Sequence, residues 1–436
     1  MRDGSLTDSD IIHLDLLGTP LIVVNSLEAA TELFDKRSSN YSDRPILTMV
    51  IELAGMSWNI GAMRYGDFWR AGRKIFRREL GPRALGAYQP SIAAATEKLL
   101  LLLLDKPDDF LKHLRFVAGY TILSMAYGIE VQPENDPFIE IAEGAMQAAA
   151  NAINSGSYLV DQLPVLKHIP DWVPGAGFKR QAKEWHKDCS AMATVPLKFV
   201  KEAMAKGEFI PSVASRSLEK IASEPSSTTH HQPEPEKVLQ GVLATMYLGG
   251  SDTTVSALGT FIHGLVKNPD ALRNGQIAVD ERTGGARLPD FSDFDSIPYV
   301  EALLRETLRW IPVTPLGAPH RSLEDDEYNG YYIPGGATVV GNVWAILHDE
   351  SIYGPNPHMF NPERFLQEDG SLNPNVPFPN MAFGFGRRVC AGQDFVVFTM
   401  WMAIASILAC FNVTRAVDED GNEIDPSLEY TSGTVW

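Results

Sequence analysis

Cysteine is scarce: Cys189, Cys390 and Cys410 are the only three in 436 residues. An odd, sparse set builds no disulfide framework and suits a reducing compartment. Positive charge is also short, with 37 Lys and Arg against 55 Asp and Glu and a formal net charge of −18. Sequence-independent nucleic-acid binding depends on neutralising phosphates, so such an acidic chain is a poor candidate for it. The N-terminal stretch MRDGSLTDSDIIHL has no basic segment followed by an apolar one, hence no signal-peptide pattern. Long apolar runs are nearly absent. The exception is Val396–Val413, at the lower length limit of a membrane span. Thr399, Ser406 and Asn412 interrupt it and no basic anchor sits at its N-terminal side, so it reads as a buried core helix. No internal repeat is found. With 44% hydrophobic and 21% charged residues the composition is globular, which excludes a disordered, collagen-like or coiled-coil chain. The length allows two to four domains or one large fold.

What is there is mostly helical. Residues 10–25 alternate as two short strands joined at Gly18–Thr19–Pro20. Ser26 then caps a helical segment with Ala29, Leu33 and Phe34 on one face. Helical spacing continues to about residue 310. It breaks at 215–235, a polar, proline-bearing stretch expected to be an exposed linker. His230 and His231 lie there and carry no expected metal role. Strand signals return at Tyr331–Ile333 and Ala337–Val340, around Pro334–Gly335–Gly336. The expected fold is mainly α with small β-sheets, one catalytic domain over 1–436.

Residues 383–392, FGFGRRVCAG, are the most informative stretch. Two glycines within three residues allow a tight turn and close backbone approach. Cys390 sits just before the long apolar helix, where free N–H groups and the helix dipole favour a thiolate. Arg387 and Arg388 add positive charge.

The pattern Phe383-x-x-Gly386-x-Arg388-x-Cys390-x-Gly392 resembles the haem-binding loop of the cytochromes P-450. Three further motifs follow that family's order. Gly249–Gly250–Ser251–Asp252–Thr253–Thr254 lies in a helical segment and resembles the oxygen-binding groove, expected as a local opening of the helix. Glu306-x-x-Arg309, with Arg364 in Asn361–Phe365, resembles the buried charge network behind the haem. Trp69-x-x-x-Arg73 resembles the helix that meets the haem propionates.

The resemblance covers nearly the whole chain. YSDRP at 41–45, RLPDF at 287–291 and ETLRWIPVTPLGAPH at 306–320 look most like fungal multicopy members of the O-methylsterigmatocystin oxidoreductase-like group. It implies a cytochrome P-450 fold with haem b between the oxygen-groove helix and the helix after the cysteine loop. Cys390 would be the axial ligand. Trp69, Arg73, His320, Phe383, Gly386, Arg388 and Gly392 would hold the cofactor. Asp252, Thr253 and Gly250 would handle dioxygen and protons. Glu306, Arg309 and Arg364 would serve folding and haem retention. Met246, Gly249, Val313, Thr314 and Leu316 would line an apolar substrate pocket.

Arg70, Arg73, Lys74, Arg77 and Arg78 fall on one helix face. With Arg73 turned inward to the haem, Arg70, Lys74, Arg77 and Arg78 form the expected dock for an NADPH–cytochrome reductase. The implied reaction is monooxygenation of a hydrophobic secondary metabolite or xenobiotic, at the cytosolic face of the endoplasmic reticulum. The family begins with a membrane anchor and ends in a strand and hairpin; neither is expected in this chain, which starts near the first strand and stops at Trp436. Two competing readings are a truncated, catalytically impaired haem protein and a haem-thiolate isomerase or dehydratase; the Asp252–Thr253 pair argues against the latter. Asn40–Tyr41–Ser42 and Asn412–Val413–Thr414 match the glycosylation sequon. Neither is expected to be modified, Asn412 because it would lie in the buried helix.

Overall fold

The computed structural model describes residues 9–16, 18–132, 135–153, 158–224 and 233–426. Two antiparallel strands, β1 (Ile11–Leu16) and β2 (Thr19–Val24), open the chain. Gly18 makes the turn at φ +85°, and its N–H donates to Asp15 Oδ1 at 2.8 Å. Ser26 caps the next segment through Ala29 N, as the sequence suggests, but beyond Ala30 the helix widens to i→i+5 pairing over Thr31–Lys36.

Ten helices longer than ten residues follow among the described residues. They are α1 (Asp67–Leu80), α2 (Gln89–Asp105), α3 (Phe110–Tyr127), α4 (Pro137–Ile153), α5 (Gly177–Lys206), α6 (Val213–Ser223), α7 (Pro235–Lys267), α8 (Pro269–Thr283), α9 (Pro298–Trp310) and α10 (Gln393–Cys410). Their packing follows from which face is apolar. On α1, Trp69, Gly72, Phe76 and Leu80 are buried at helical spacing, and Arg70, Lys74, Arg77 and Arg78 are left exposed. The 33-residue α7, about 50 Å long, runs through the main core against α3, α5, α9 and α10. Most of α10 is buried in that same core. It is the one helix among the described residues long and apolar enough to cross a membrane, and its burial inside the molecule fits the core-helix reading.

Strands β3 (His320–Arg321), β4 (Asp326–Tyr328), β5 (Tyr331–Ile333) and β6 (Thr338–Gly341) complete the small sheets. The larger sheet has the order β1-β2-β6-β3, with β2 and β6 parallel in the register Leu21↔Thr338 to Val24↔Gly341. β5 pairs with β4 instead, so the strands flanking Pro334–Gly336 belong to different sheets. A second core of Ile22, Val24, Phe34, Val339 and Phe385 forms beside the larger sheet. The parallel pair brings the start of the chain against the cysteine loop.

Two boundaries differ from expectation. The 215–235 linker is half helix: α6 runs to Ser223, and α7 starts at Pro235. Ser212 and Ser215 cap α6 reciprocally, Oγ to backbone N at 3.2 and 2.8 Å, and Val213, Ala214 and Ser217 are buried. The polar composition hid a helix whose few apolar residues recur at helical spacing. His230 and His231 lie outside the described residues. The apolar run also ends early: α10 stops at Cys410, so Asn412 is exposed beyond it and meets Gln276 Nε2 at 3.0 Å. Asn40 is engaged as well, its Oδ1 accepting from the N–H of Leu323 and Glu324 at 2.9 and 2.8 Å.

Candidate active site

The cysteine loop folds as its glycines demand. Gly384 and Gly386 take φ +87° and +53°, in the left-handed region where a side chain is strained. A Cβ on Gly386 would lie 2.1 Å from Phe34 O, so no other residue lets the loop approach the Thr31–Lys36 segment. Phe385 stacks on Phe34 at 4.8 Å, and Cys390 N donates to Phe383 O at 2.8 Å, closing the turn. The chain then enters α10 with Gly392 as its N-cap.

Cys390 keeps exposed surface. Enough protein surrounds it, however, that burial pushes its thiol up, against the pull of the Gly392 and Gln393 N–H groups and of Arg73. In the chain alone desolvation outweighs the helix terminus. A metal cation at sulfur would reverse that balance, since a coordinating thiol is deprotonated outright.

Three guanidinium groups and a neutral imidazole converge near this loop. Arg73, reaching from α1, donates to Val389 O at 2.9 Å. Arg388 lies 4.6 Å over the Trp69 ring and donates from Nε to Ser42 O at 2.7 Å. Its two terminal nitrogens are buried with no partner among the described residues. His320 donates from Nδ1 to Tyr41 O at 2.6 Å and is buried. Arg44, the fourth, donates to the carbonyls of Gly61, Ala318 and Pro319 at 3.0, 2.7 and 2.6 Å. The nearby carboxylate, Asp43, is committed to Arg64 at 2.7 Å and to Tyr65 N at 2.8 Å. Burial, then mutual repulsion, pushes Arg44 down to about 9. Burial lowers Arg388 to about 10, with Arg73 adding to the effect. Burial and Arg44 hold His320 well below its ordinary value. Unpartnered guanidinium nitrogens among underpaired cations fit a dianionic group, as the two propionates of haem would be.

Sequence reasoning missed Arg44. YSDRP stood out only as part of the resemblance. Nothing local says that a cation 25 positions before Trp69 folds back beside Arg388.

Behind the loop, the charge network is present. Arg309 Nε and Nη2 meet Glu306 at 2.6 and 2.8 Å, and Arg364 Nε reaches the same carboxylate at 3.2 Å. Asn361 N donates to Glu306 Oε1 at 2.7 Å, a contact the sequence did not suggest.

The expected opening in the Gly249–Gly250 helix is not formed; α7 is continuous from Pro235 to Lys267. A glycine costs about 1 kcal/mol in a helix interior, too little to break one packed on several sides. The two glycines differ in role. A Cβ on Gly250 would lie 2.8 Å from Ile122 Cδ1, so Gly250 lets α3 pack closely. A Cβ on Gly249 would meet no heavy atom within 4 Å. Thr253 Oγ1 donates to Gly249 O at 2.6 Å, tying the hydroxyl to that open face. Burial raises the Asp252 carboxyl, partly offset by Arg115, so it holds a proton more readily than an exposed aspartate. Of the expected pocket residues, Met246 is buried in the main core, Val313 packs half-buried against it, Thr314 is half-buried and Leu316 is exposed.

On α1, Lys74 and Arg77 are exposed and make no ion pair among the described residues. Arg70 pairs with Asp67, and Arg78 with Glu79 at 2.6 Å and Ser217 at 2.9 Å, so half of the expected dock is partly neutralised. Arg387, exposed beside Tyr65 at 3.3 Å, adds a cation on the cysteine loop.

A family model described as Cytochrome P450 matches residues 7–432. The chain belongs to the cytochrome P450 family. It is 43% identical over 430 residues to a cytochrome P450 monooxygenase of Armillaria gallica, covering 98% of this chain and 83% of that one. It is 43% identical over 428 residues to the monooxygenase eriA of Hericium erinaceus, covering 98% and 80%. It is 39% identical over 427 residues to the tryptamine 4-monooxygenase of Psilocybe cyanescens, covering 98% and 83%. The enzyme is a monooxygenase of the P450 family.

Proposed function

We propose that this P450 is a haem-thiolate monooxygenase that places one atom of dioxygen into a hydrophobic small molecule, with electrons from NADPH through a reductase. One observation carries the reading. The Cys390 thiol, with N–H donors at Gly392 and Gln393, shares its surroundings with Arg388, whose two buried guanidinium nitrogens have no partner among the described residues.

Haem b, when bound, supplies the iron that activates dioxygen, and a thiolate ligand favours O–O cleavage. Cys390 Sγ holds the iron, with the two N–H groups spreading the sulfur's charge. Trp69, Arg73, His320 and Arg388 hold the propionates, and Arg44 adds to the positive field. Phe383 and Gly386 shape the loop, and Gly392 leaves room beside the sulfur. Thr253 Oγ1 positions a proton on the Gly249 face. Asp252, with its raised carboxyl, gives and recovers that proton. Glu306, Arg309 and Arg364 keep the loop's support rigid. Gly249, Val313, Thr314 and Leu316 border the substrate, which the apolar lining selects by shape. The fungal relatives suit a secondary metabolite or xenobiotic. Lys74 and Arg77, flanked by Arg70, Arg78 and Arg387, suit an acidic reductase.

Membrane association, as the family suggests, is supported by exposed apolar residues on linked segments. Leu14 and Leu16 lie on β1, and Leu159, Leu163 and Val165 lie just before α5. Thr19 Oγ1 ties the strands to Gln162 Oε1 at 2.8 Å.

The deciding experiment is a reduced carbon monoxide difference spectrum, then NADPH-dependent turnover with a P450 reductase. A red-shifted Soret band with turnover supports the reading. A thiolate spectrum without oxygen incorporation favours isomerase or dehydratase chemistry, or an impaired enzyme.

A further inference from the structure

Two unpaired charges lie along the contact of α3 with α7. Asp252 is half-buried on α7 and Arg115 is exposed on α3, and neither makes a hydrogen bond or an ion pair among the described residues. Their helices run antiparallel. Tyr247 lies beside Tyr127 at 6.3 Å, a Cβ on Gly250 would meet Ile122, and one on Gly259 would meet Leu111 Cδ2 at 3.7 Å. Residue numbers therefore rise along α7 as they fall along α3.

Those contacts place the two charges. Asp252 precedes Gly259 by seven residues, two turns along one face of α7. Arg115 follows Leu111 by four residues, one turn along one face of α3, and in the same direction in space. At 1.5 Å per residue the displacements are about 10 Å and about 6 Å, which leaves about 4–5 Å between the two positions along the groove. An arginine side chain spans that offset.

No other charge on the packed elements competes for Asp252. Lys112 pairs with Asp109 at 2.6 Å, and the His113 ring bonds Lys106 O at 2.7 Å. Lys98 of α2 lies over the Tyr120 ring at 5.1 Å. Glu143 of α4 acts on Tyr247 instead, and His263, three turns further along α7, is stacked on Trp310. Burial raises the Asp252 carboxyl, and Arg115 is the one charge among the described residues that pulls it back.

Proton delivery needs this balance. On the reading given above, the Asp252 carboxyl passes a proton to the Thr253 hydroxyl as that hydroxyl gives its own to the reacting oxygen. Water then returns a proton to the carboxylate, so each cycle ends as it began. A relay works best when its acid neither clings to the proton nor refuses it. Burial alone drives Asp252 toward the first failure. A direct ion pair would drive it toward the second, because an opposite charge in contact strongly favours the anion. Arg115 is close, unpaired and open to solvent, so its pull is intermediate. We propose that Arg115 is a positioning residue for the monooxygenase: its charge, held across the α3–α7 groove, sets how readily Asp252 gives up and recovers a proton.

The test uses haem-loaded resting protein with carbon-13 in the aspartate carboxyls. The acid C=O band of Asp252 is isolated in the infrared by difference from Asp252→Asn and followed from about pH 4 to 8. In Arg115→Gln the acid form should gain about threefold or more over the anion at a fixed pH, as expected for losing one nearby cation. Arg115→Lys, which keeps the charge, should stay near wild type. The pH profile of product formed per NADPH should move upward with the band in Arg115→Gln and stay in place in Arg115→Lys. An unmoved band in Arg115→Gln overturns the proposal. So does an equal move in Arg115→Lys, which would make the effect one of packing. A moved band with an unmoved coupling profile also overturns it, since Arg115 would then tune Asp252 without bearing on delivery. Full coupling in Asp252→Asn would overturn the relay itself, and Arg115's part with it.

Discussion

Glu306 grips Arg309 with both carboxylate oxygens, at 2.6 and 2.8 Å, and neither side chain has any exposed surface. Arg364 leans on the same carboxylate, so one buried anion serves two guanidinium groups. The carbonyls of Leu347 and Tyr353 take up part of the surplus, at 3.0 and 2.5 Å. Removing the anion leaves both cations stranded, which costs roughly 3–5 kcal/mol. Glu306→Gln should therefore lower stability by about that much and sharply reduce the haem that copurifies. Urea unfolding and a pyridine haemochrome assay check it. A haem-replete variant of unchanged stability would show that the network is dispensable.

Cys390→Ala should abolish the red-shifted Soret band of the reduced carbon monoxide adduct. Cys189 is buried and Cys410 lies at the far end of α10, so neither substitution to Ala should alter the band. A normal band from Cys390→Ala would move the ligand elsewhere.

The paired glycines of α7 make opposite predictions. Alanine at either position gains about 0.5–1 kcal/mol of helix stability in principle. At Gly249 the new methyl meets nothing, so Gly249→Ala should raise the melting temperature while altering substrate turnover. At Gly250 it meets Ile122 at 2.8 and 3.0 Å, and overpacking of this kind costs roughly 1–3 kcal/mol. Gly250→Ala should lower the melting temperature. Equal shifts in calorimetry would mean that the Ile122 contact yields freely.

How far the sequence reaches is clear from these same residues. The fold class, the first strand pair, the positions of the strands around Pro334–Gly336 and the buried α10 are legible because periodicity and turn residues are local properties, whereas the pairing of those later strands is not. The cysteine loop, Trp69–Arg73 and Glu306–Arg309 are legible because each is a short motif on one element. Arg44 is not, because its burial depends on β3 and the residues before it folding back from more than 270 positions away. The division of labour between Gly249 and Gly250 is invisible without α3 in place. The desolvation around Cys390 is not legible either, because a helix terminus can be read from sequence whereas the protein packed around it cannot.

Thr253→Ala removes the hydroxyl that bonds Gly249 O at 2.6 Å without touching the cysteine loop. Haem content and NADPH consumption should persist while electrons leak to hydrogen peroxide. Product formed per NADPH should fall about tenfold or more, a modest share of the roughly 10²–10⁴-fold that a positioned proton donor contributes. Thr253→Ser, which keeps the hydroxyl, should stay near wild type. A peroxide assay beside product quantification decides it, and an unchanged ratio in Thr253→Ala would remove Thr253 from proton handling.

Asp293 makes the acid limit of the fold testable. It has no exposed surface, and Arg287 meets it at 2.6 and 2.8 Å, with Arg282 at 2.8 Å. The bond from Arg287 above all, with the Asp290 N–H and Arg282, holds its carboxyl well below the usual aspartate range. In the unfolded chain the same group titrates near 3.9. A depressed folded value means that the native state favours the anion. The stabilisation is complete above about pH 4 and disappears as pH falls through the folded value. Asp293→Asn has no such proton to take up. Its stability should be lower than wild type at pH 7, and the gap should narrow as acid is added below about pH 4. Denaturant midpoints of both proteins across that range check the sign. A gap that stays constant or widens on acidification would mean that Asp293 is not the carboxylate being titrated.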